Sequence, residues 1–224
     1  MIYFTSDLHF GEMACIKYFN RPFEFSNEGA IQFDCFIRNK YCSLVKDEDI
    51  VFFLGDVGSF NVAIFEEIYL NEMAMDDFYE EGSLPDKSII ERSAYIKNMI
   101  SSLPGQKILI KGNHDEGSNS YYRDCGFLDI KHYLVFDDFF LCHYPLTERK
   151  KEIKPIIYKL KYNYATSPCT SIIHGHSHNK SPYSEVGKTR YNVCVDNPAT
   201  NYMPVTIEGI PEDKIYEYVS SLSK

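Results

Sequence analysis

Short apolar runs recur along the chain, and each ends abruptly in polar residues. These runs are rich in β-branched and aromatic residues and are bounded by Gly, Asn or Asp, which is typical of buried strands. They occupy residues 2–4, 50–54, 108–110, 139–142 and 172–173, and a further run at 190–195 indicates one more strand.

Segments with helical periodicity lie between these runs. Apolar residues recur at helical spacing over residues 30–45, 61–81, 86–103 and 207–222. We expect Pro104 and Gly105 to end the third helix and Pro211 to open the last one. The segment 61–81 contains no Lys or Arg and many acidic residues.

Strands that alternate with helices predict a layered α/β fold. In such folds the carboxyl ends of strands collect functional residues at one edge of the sheet. Because all five polar clusters follow the carboxyl end of a run, we expect them to converge on one edge.

Length and composition are those of a globular protein. The 224 residues, 44% hydrophobic and 25% charged, favour a single domain over residues 1–224. No apolar run approaches the ~18 residues of a membrane helix, and the first ten residues lack the basic flank of a secretion signal, so a cytoplasmic location is the default expectation. The net charge of −9 argues against a broad nucleic-acid-binding face.

The seven cysteines are predicted to be reduced thiols, most of them buried. Their number is odd, and no two of them have the C-x-x-C spacing of a zinc or redox site. Cys142 adjoins His143, but the alternation of side chains along a strand directs it to the opposite face.

The histidines follow the strand ends. Of the seven histidines, only His132 lies outside a strand-end cluster. Together with Asp7, Asp56 and Asn113 they supply enough nitrogen and oxygen donors for two metal ions. Such a set without thiolate suits Mn²⁺, Fe or Zn²⁺ at a catalytic site better than a structural zinc.

Five short motifs, in order over residues 7–178, carry a family resemblance. They read Asp-x-His, Gly-Asp, Gly-Asn-His-Asp, a single His, and Gly-His-x-His, beginning at Asp7, Gly55, Gly112, His143 and Gly175. This series resembles the calcineurin-like metallophosphoesterase superfamily. The opening Ser-Asp-Leu-His-Phe-Gly, followed by Asn-Arg-Pro-Phe, is similar to a small bacterial and phage branch of it.

The resemblance implies a four-layer α-β-β-α sandwich of two mixed sheets. The segment 60–103 is long for this branch and is expected to be a helical insertion, either a cap over the site or an oligomer contact. It also implies two divalent metal ions, with Mn²⁺ favoured and Fe, Zn²⁺ or Ni²⁺ as alternatives. The first ion would be held by Asp7, His9, Asp56 and His178. The second would be held by Asp56, Asn113, His143 and His176, so that Asp56 bridges the pair.

The implied activity is phosphoester hydrolysis, with a phosphodiester or nucleotide-type substrate favoured. A metal-bound hydroxide would attack in line with the leaving oxygen. His114 would assist the leaving group, and Asp115 is a candidate to orient His114.

Residues outside these motifs are candidates for substrate contacts. Arg21 could reach a phosphate with its planar fork, although it could instead hold its loop in place. The basic stretch 149–161, with Tyr158 and Tyr162 interleaved, could follow a nucleic acid strand or simply be a solvated face. Relatives in the small branch often carry His where this chain has Glu12.

Some other polar residues are predicted to have structural positions and no role in the site. His174 is expected to be a core histidine, and His132 a surface one. Asp196 and Asn197, after the last strand, are expected to form a turn.

Two alternatives remain open. The chain could be a catalytically silent interaction module, or a nuclease subunit that acts on single-stranded nucleic acid. The intact Asn113, His114 and His143 argue against the silent module. A metallo-β-lactamase is disfavoured because no Asp-His pair follows His176, and an amidohydrolase barrel because it needs about 250 residues. Oligomeric state is left open, and no membrane partner is expected.

Overall fold

The computed structural model describes residues 1–58, 85–146, 155–178 and 189–222. The strands in these residues are β1 Ile2–Thr5, β2 Ile50–Phe53, β3 Gln106–Ile110, β4 Phe127–Lys131, β5 Tyr133–Phe136, β6 Phe139–Cys142, β7 Ser171–His174 and β8 Thr189–Asn192. The helices are α1 Met13–Tyr18, α2 Asn27–Leu44, α3 Pro85–Ser101, α4 Asn119–Asp124, α5 Pro155–Thr166 and α6 Glu212–Leu222.

The first sheet has the order β1-β2-β3-β4, and each neighbouring pair is parallel. β1 and β2 are buried along their whole length, as expected for parallel strands covered on both faces. At the outer edge of β1, Phe4 and Val205 exchange main-chain hydrogen bonds in an antiparallel bridge.

The second sheet has the order β5-β6-β7-β8. β5 and β6 form an antiparallel hairpin, whereas β7 and β8 add to it in parallel. Asp137 lies in the turn of this hairpin with φ 51°, a left-handed conformation that Asp tolerates better than most residues.

Three groups of buried apolar side chains define four layers. Between the sheets, Phe4 and Phe52 of the first sheet pack with Leu141 and Ile173 of the second. On the outer face of the first sheet, Tyr3, Val51 and Phe53 pack against α2 and α3 through a group that includes Phe33, Ile37, Tyr41, Ile96 and Ile100. On the outer face of the second sheet, Phe140, Cys142 and Ile172 pack against Leu160 and Tyr164 of α5.

The predicted two-sheet α/β sandwich is therefore confirmed, including the direction of Cys142 away from its neighbour His143. The helix predicted at 86–103 is α3, the helix predicted at 30–45 is α2, and the last helix begins just after Pro211. The helix predicted at 61–81 and most of the insertion around 60–103 lie outside the described residues. Within the described ranges, no helix combines the length and the apolar character that crossing a bilayer requires.

The loops after the strands are tied to one another by main-chain hydrogen bonds. The NH of Asp7 donates to the Gly55 carbonyl over 2.9 Å, and the NH of His9 donates to the Asp56 carbonyl over 3.0 Å. The NH of Gly175 donates to the His143 carbonyl over 3.0 Å in the second sheet. The NH of His176, which follows β7, donates to the Asp7 carboxylate over 3.0 Å, so the ends of the two sheets meet at a common edge.

Candidate metal centre

A first donor cluster contains Asp7, His9 and His178, which follow β1 of one sheet and β7 of the other. One donor atom from each of the three lies within 4.8 Å of the other two. His178 Nε2 is 3.6 Å from Asp7 Oδ1, and the Asp7 side chain is fully buried. The Asp7 carboxylate also accepts the main-chain NH of His176, over 3.0 Å and 3.1 Å to its two oxygens.

A second donor cluster contains Asp56, His143 and His176, with Asn113 beside it. His143 Nε2 lies 3.1 Å from Asn113 Oδ1, 3.2 Å from His176 Nδ1 and 3.3 Å from Asp56 Oδ2. The other ring nitrogen, Nδ1, is 2.8 Å from the Leu54 carbonyl, to which it can only donate. A neutral His143 therefore directs a lone pair at oxygen and nitrogen lone pairs, an arrangement that a cation between them would stabilise.

Asp56 joins the two clusters. Its Oδ2 is 3.8 Å from His9 Nε2 of the first cluster and 3.3 Å from His143 Nε2 of the second. Burial raises the pKa of Asp56, but the neighbouring His143 and His9 outweigh burial and hold the pKa well below its usual range. Asp56 is thus placed between the clusters, as expected for a shared ligand.

The electrostatics of the centre favour a bound cation. Burial lowers the pKa of His143, yet the charge of Asp56 outweighs burial and raises that pKa to about 9. The same negative charge that would retain a proton on His143 would attract a metal ion in its place. The donor chemistry of both clusters, carboxylate and imidazole without thiolate, fits divalent transition metals.

Five of the clustered residues have left-handed backbone conformations. The φ angles are 58° at Asp7, 51° at His9, 55° at Asp56, 64° at His176 and 46° at His178. Each such conformation costs a non-glycine residue roughly 1 kcal/mol or more. Strain gathered on these residues is typical of a functional site, where it directs several side chains to one point.

Two glycines allow the main chain to approach the carboxylates closely. A Cβ at Gly112 would collide with the Asp56 carboxylate, and a Cβ at Gly175 would collide with the Asp7 carboxylate. These glycines are therefore required by the packing of the centre.

His114 lies at the rim of the centre. Its ring centroid is 5.1 Å from that of His9 in an edge-on contact, and its main-chain NH donates to Asp56 Oδ1 over 2.8 Å. His114 belongs to neither donor cluster. His114 therefore lies beside the donor atoms without being one of them.

Asp115 has a different set of contacts from the one expected. Its buried carboxylate accepts the main-chain NH groups of Asp56 over 2.7 Å, Val57 over 3.1 Å and Gly112 over 2.8 Å. Among the described residues it makes no hydrogen bond to the His114 imidazole, so the expected pairing is corrected. Asp115 holds together the two loops that carry Asp56 and Asn113, because one buried carboxylate can accept several main-chain donors at once.

Arg21 is buried and fully engaged within the protein. Its Nε and Nη2 donate to the two carboxylate oxygens of Asp196 over 2.9 Å and 3.0 Å, while Nη1 and Nη2 donate to the carbonyls of Leu8 and Asp7. The guanidinium also stacks over the Phe33 ring at 4.1 Å. This position does not match the expected substrate contact, since only 1% of the side chain is exposed.

Two carboxylates lie behind the first cluster, and of these only Glu12 had been considered as a neighbour of the metal site. Glu12 Oε1 is 3.1 Å from His9 Nδ1, and Asp196 Oδ2 is 2.8 Å from His178 Nδ1. Asp196 lies in the expected turn, and it follows a short apolar run just as the five motif residues do. This repeated pattern could have predicted that Asp196 lies at the same edge as the donor residues. These residues also form two overlapping donor groups, His9–Glu12–Cys15 and His178–Cys194–Asp196.

The other polar residues singled out in the sequence lie outside both donor clusters. His174 is buried, its Nδ1 is 2.8 Å from the Gly175 carbonyl, and burial lowers its pKa to about 4. His132 is exposed. In the basic stretch, residues 147–154 lie outside the described part of the chain, whereas Tyr158 and Tyr162 are exposed on α5.

No known protein-family profile matches the chain. An uncharacterized protein of Methanocaldococcus jannaschii, MJ1445, is 26% identical over 211 residues, which are 93% of this chain and 88% of that protein. The crystal structure of the protein of unknown function AQ665 from Aquifex aeolicus superposes with a TM-score of 0.57 at 22% identity, over 97% of this chain and 98% of that one. This similarity shows a shared fold.

A more distant solved structure is the nuclease MPE from Pseudomonas putida. It superposes with a TM-score of 0.34 at 13% identity, over 84% of this chain and 66% of that one. No conclusion is drawn from a similarity of this size.

Proposed function

We propose that the protein is a metal-dependent phosphoesterase of the calcineurin-like metallophosphoesterase type, formed by the whole chain as one domain. The observation that carries this proposal is the pair of adjacent donor clusters, joined by Asp56, whose carboxylate oxygens and imidazole nitrogens converge. The buried negative charge at their centre has to be offset by a proton or by a cation, and divalent ions suit this donor set.

The residues present fit two divalent ions, with Mn²⁺ as the first choice. Asp7, His9 and His178 would hold one ion, and Asn113, His143 and His176 would hold the other, with Asp56 shared between them. Bound there, two ions would supply Lewis-acid stabilisation of the phosphoryl oxygens and a nucleophile at neutral pH.

The rest of the centre orients the reacting groups. His114, at the rim, would contact the leaving oxygen and donate a proton to it or stabilise its charge. Asp115 fixes the loops that carry Asp56 and Asn113 through three main-chain hydrogen bonds. Preorganised donors of this kind contribute to catalysis because they need no rearrangement during the reaction.

An aromatic ring beside the donors supports a substrate with an aryl or nucleoside group. The half-buried ring of Phe19 stacks on the His178 ring, with the two ring centroids 3.3 Å apart. A flat apolar ring beside a phosphate site suits an aromatic leaving group or a base. We therefore favour phosphodiesters and nucleotides over phosphoproteins.

The test is hydrolysis by protein that has been stripped with a chelator and reloaded with Mn²⁺. We expect turnover of bis-p-nitrophenyl phosphate in the reloaded sample and none in the stripped one. His143→Ala should abolish it, whereas the matched control His132→Ala, at an exposed histidine outside both clusters, should retain it. Equal activity of the stripped and reloaded samples would rule out the metal dependence.

A nuclease that acts on single strands is the second candidate, and one observation favours it. Tyr158 and Tyr162 are 64% and 70% exposed, one helical turn apart on α5, where successive bases could stack. Replacing both by Ala should reduce cleavage of an oligonucleotide but not of the small diester. Tyr216→Ala, an exposed tyrosine on α6, is the matched control.

A further inference from the structure

The Arg21–Asp196 ion pair is buried directly behind the first donor cluster. Both side chains are 1% exposed, and the guanidinium meets both carboxylate oxygens, which is a strong and geometrically specific arrangement. Burying an ion pair of this kind carries a desolvation cost that other contacts have to offset. Here the Asp196 carboxylate also contacts His178 of the first donor cluster.

Asp196 also meets His178, over 2.8 Å from Oδ2 to Nδ1. A carboxylate held by a guanidinium is ionised and can only accept, so the proton of the neutral imidazole lies on Nδ1. The lone pair is then on Nε2, the atom that lies 3.6 Å from Asp7 Oδ1 within the first cluster. One contact therefore fixes both the tautomer and the direction of the ring.

Arg21 ties the other side of the cluster to the same carboxylate. Its Nη2 donates to the Asp7 carbonyl over 3.1 Å and its Nη1 to the Leu8 carbonyl over 3.3 Å. Asp7 and His178 are thus held by one ion pair, although 171 residues separate them (178 − 7).

We infer that Asp196, anchored by Arg21, is a positioning residue that holds His178 with Nε2 toward the first donor cluster and thereby sets the affinity of that cluster for its cation. The inference rests on the proposed function for the presence of the cation. A carboxylate behind a ligating histidine orients the ring and raises its basicity, and its loss costs about 10–100-fold in metal affinity. The inference also accounts for Arg21, which is buried behind the cluster instead of exposed to substrate.

Two measurements on two variants test this inference. The variants are Asp196→Asn, and the double variant Arg21→Met with Asp196→Asn, which leaves no unpaired buried charge. The control is Asp129→Asn, which removes another buried carboxylate, in this case one that accepts a hydrogen bond from Tyr218 over 2.6 Å. Ring ¹⁵N shifts of His178 are recorded in metal-free protein, and Mn²⁺ is titrated by calorimetry.

In the wild-type protein and in Asp129→Asn, we expect the His178 shifts of the Nδ1–H tautomer and two Mn²⁺ sites. In the double variant, the shifts should move toward a tautomeric mixture, and one site should weaken by about 10–100-fold while the other is retained. If the single variant Asp196→Asn folds, it should show the same weakening of one Mn²⁺ site.

The outcomes separate this inference from the function on which it rests. Wild-type protein that binds no Mn²⁺ contradicts the proposed function. Wild-type protein that binds two ions, together with a double variant of unchanged affinity at both sites, overturns the positioning role of Asp196 and leaves the function standing. Unchanged His178 ring shifts in the double variant would also overturn it.

Discussion

The two donor clusters are alike in their ligands and differ in what stands behind them. In the first cluster, both histidines have a carboxylate beside Nδ1: His178 Nδ1 is in hydrogen-bond contact with Asp196, and His9 Nδ1 lies 3.1 Å from Glu12 Oε1 in an ionic contact. In the second cluster, His143 directs Nδ1 at the main-chain carbonyl of Leu54. The first cluster therefore carries more negative charge behind its ligands, and its position is expected to hold a cation more tightly.

The second cluster depends instead on the main chain. Asp115 joins the loops that carry Asp56 and Asn113 by accepting three main-chain donors. The comparison suggests a division of roles, in which side-chain charge sets affinity in one cluster and loop geometry sets position in the other.

Replacing the residue shared by both clusters should have the largest effect. We expect Asp56→Asn to lose metal from both clusters and to reduce phosphodiesterase activity to background, because no other carboxylate in the described part of the chain reaches both. Metal content after dialysis and turnover are the measurements. Asp137→Asn is the matched control, since Asp137 has a similar φ, 51°, in an exposed turn. Full retention of two ions in Asp56→Asn would contradict the shared ligand.

A residue outside both clusters should change turnover and leave metal binding intact. His114→Ala is expected to lower kcat by about 10²–10⁴-fold, the usual range for a group that transfers a proton. Its metal content should equal that of the wild type. Loss of metal from this variant would place His114 among the ligands and contradict its assignment to the rim.

A carboxylate behind the first cluster should affect that cluster alone. Glu12→Gln keeps the shape of the side chain and removes its charge, so we expect about a 10-fold weaker Mn²⁺ affinity at one of the two sites. Titration calorimetry separates the two affinities. An equal loss of affinity at both sites would contradict the claim that carboxylate charge supports only the first cluster.

Below the first cluster, Asp34 should make stability depend on pH. It accepts the Gly11 NH over 2.7 Å and the Tyr95 hydroxyl over 2.9 Å, and burial raises its pKa from 3.8 to about 7. The folded state therefore retains a proton that the unfolded state has released. The resulting stabilisation is complete below pH 3.8 and is lost as the pH rises toward about 7.

The expected loss in the free energy of unfolding is roughly 4 kcal/mol, because each unit of pKa difference between the folded and unfolded states corresponds to about 1.4 kcal/mol. Asp34→Asn should remove this part of the pH dependence, as measured by urea unfolding of both proteins at several pH values. Parallel stability curves for the wild type and the variant would contradict the shifted pKa.

The convergence of the donor residues could be predicted from the sequence because they follow strand ends, whereas their assignment as metal ligands came from the family resemblance. Asp7, Asp56 and His143 each come directly after a short buried run, and parallel strands bring such positions to one edge. The fold followed from the same alternation of runs and helices. Neither prediction required knowledge of contacts between side chains that are distant in sequence.

The contacts behind the ligands could not be predicted, because they depend on side chains brought together only by the finished fold. Arg21 and Asp196 are 175 residues apart, and nothing in the local pattern around either one indicates the other. Asp115 is a similar case, since its partners are main-chain NH groups that carry no sequence signal. Because Asp115 follows His114 directly in the sequence, the His114 imidazole was expected to be its partner.

The central claim is that two cations occupy the neighbouring donor clusters, and anomalous diffraction tests it most directly. Crystals grown with Mn²⁺ would be measured on either side of the manganese absorption edge. The account predicts two anomalous peaks, one among Asp7, His9 and His178 and one among Asn113, His143 and His176, with Asp56 contacting both. Peaks only at the His178–Cys194–Asp196 group, or none at either cluster, would contradict it.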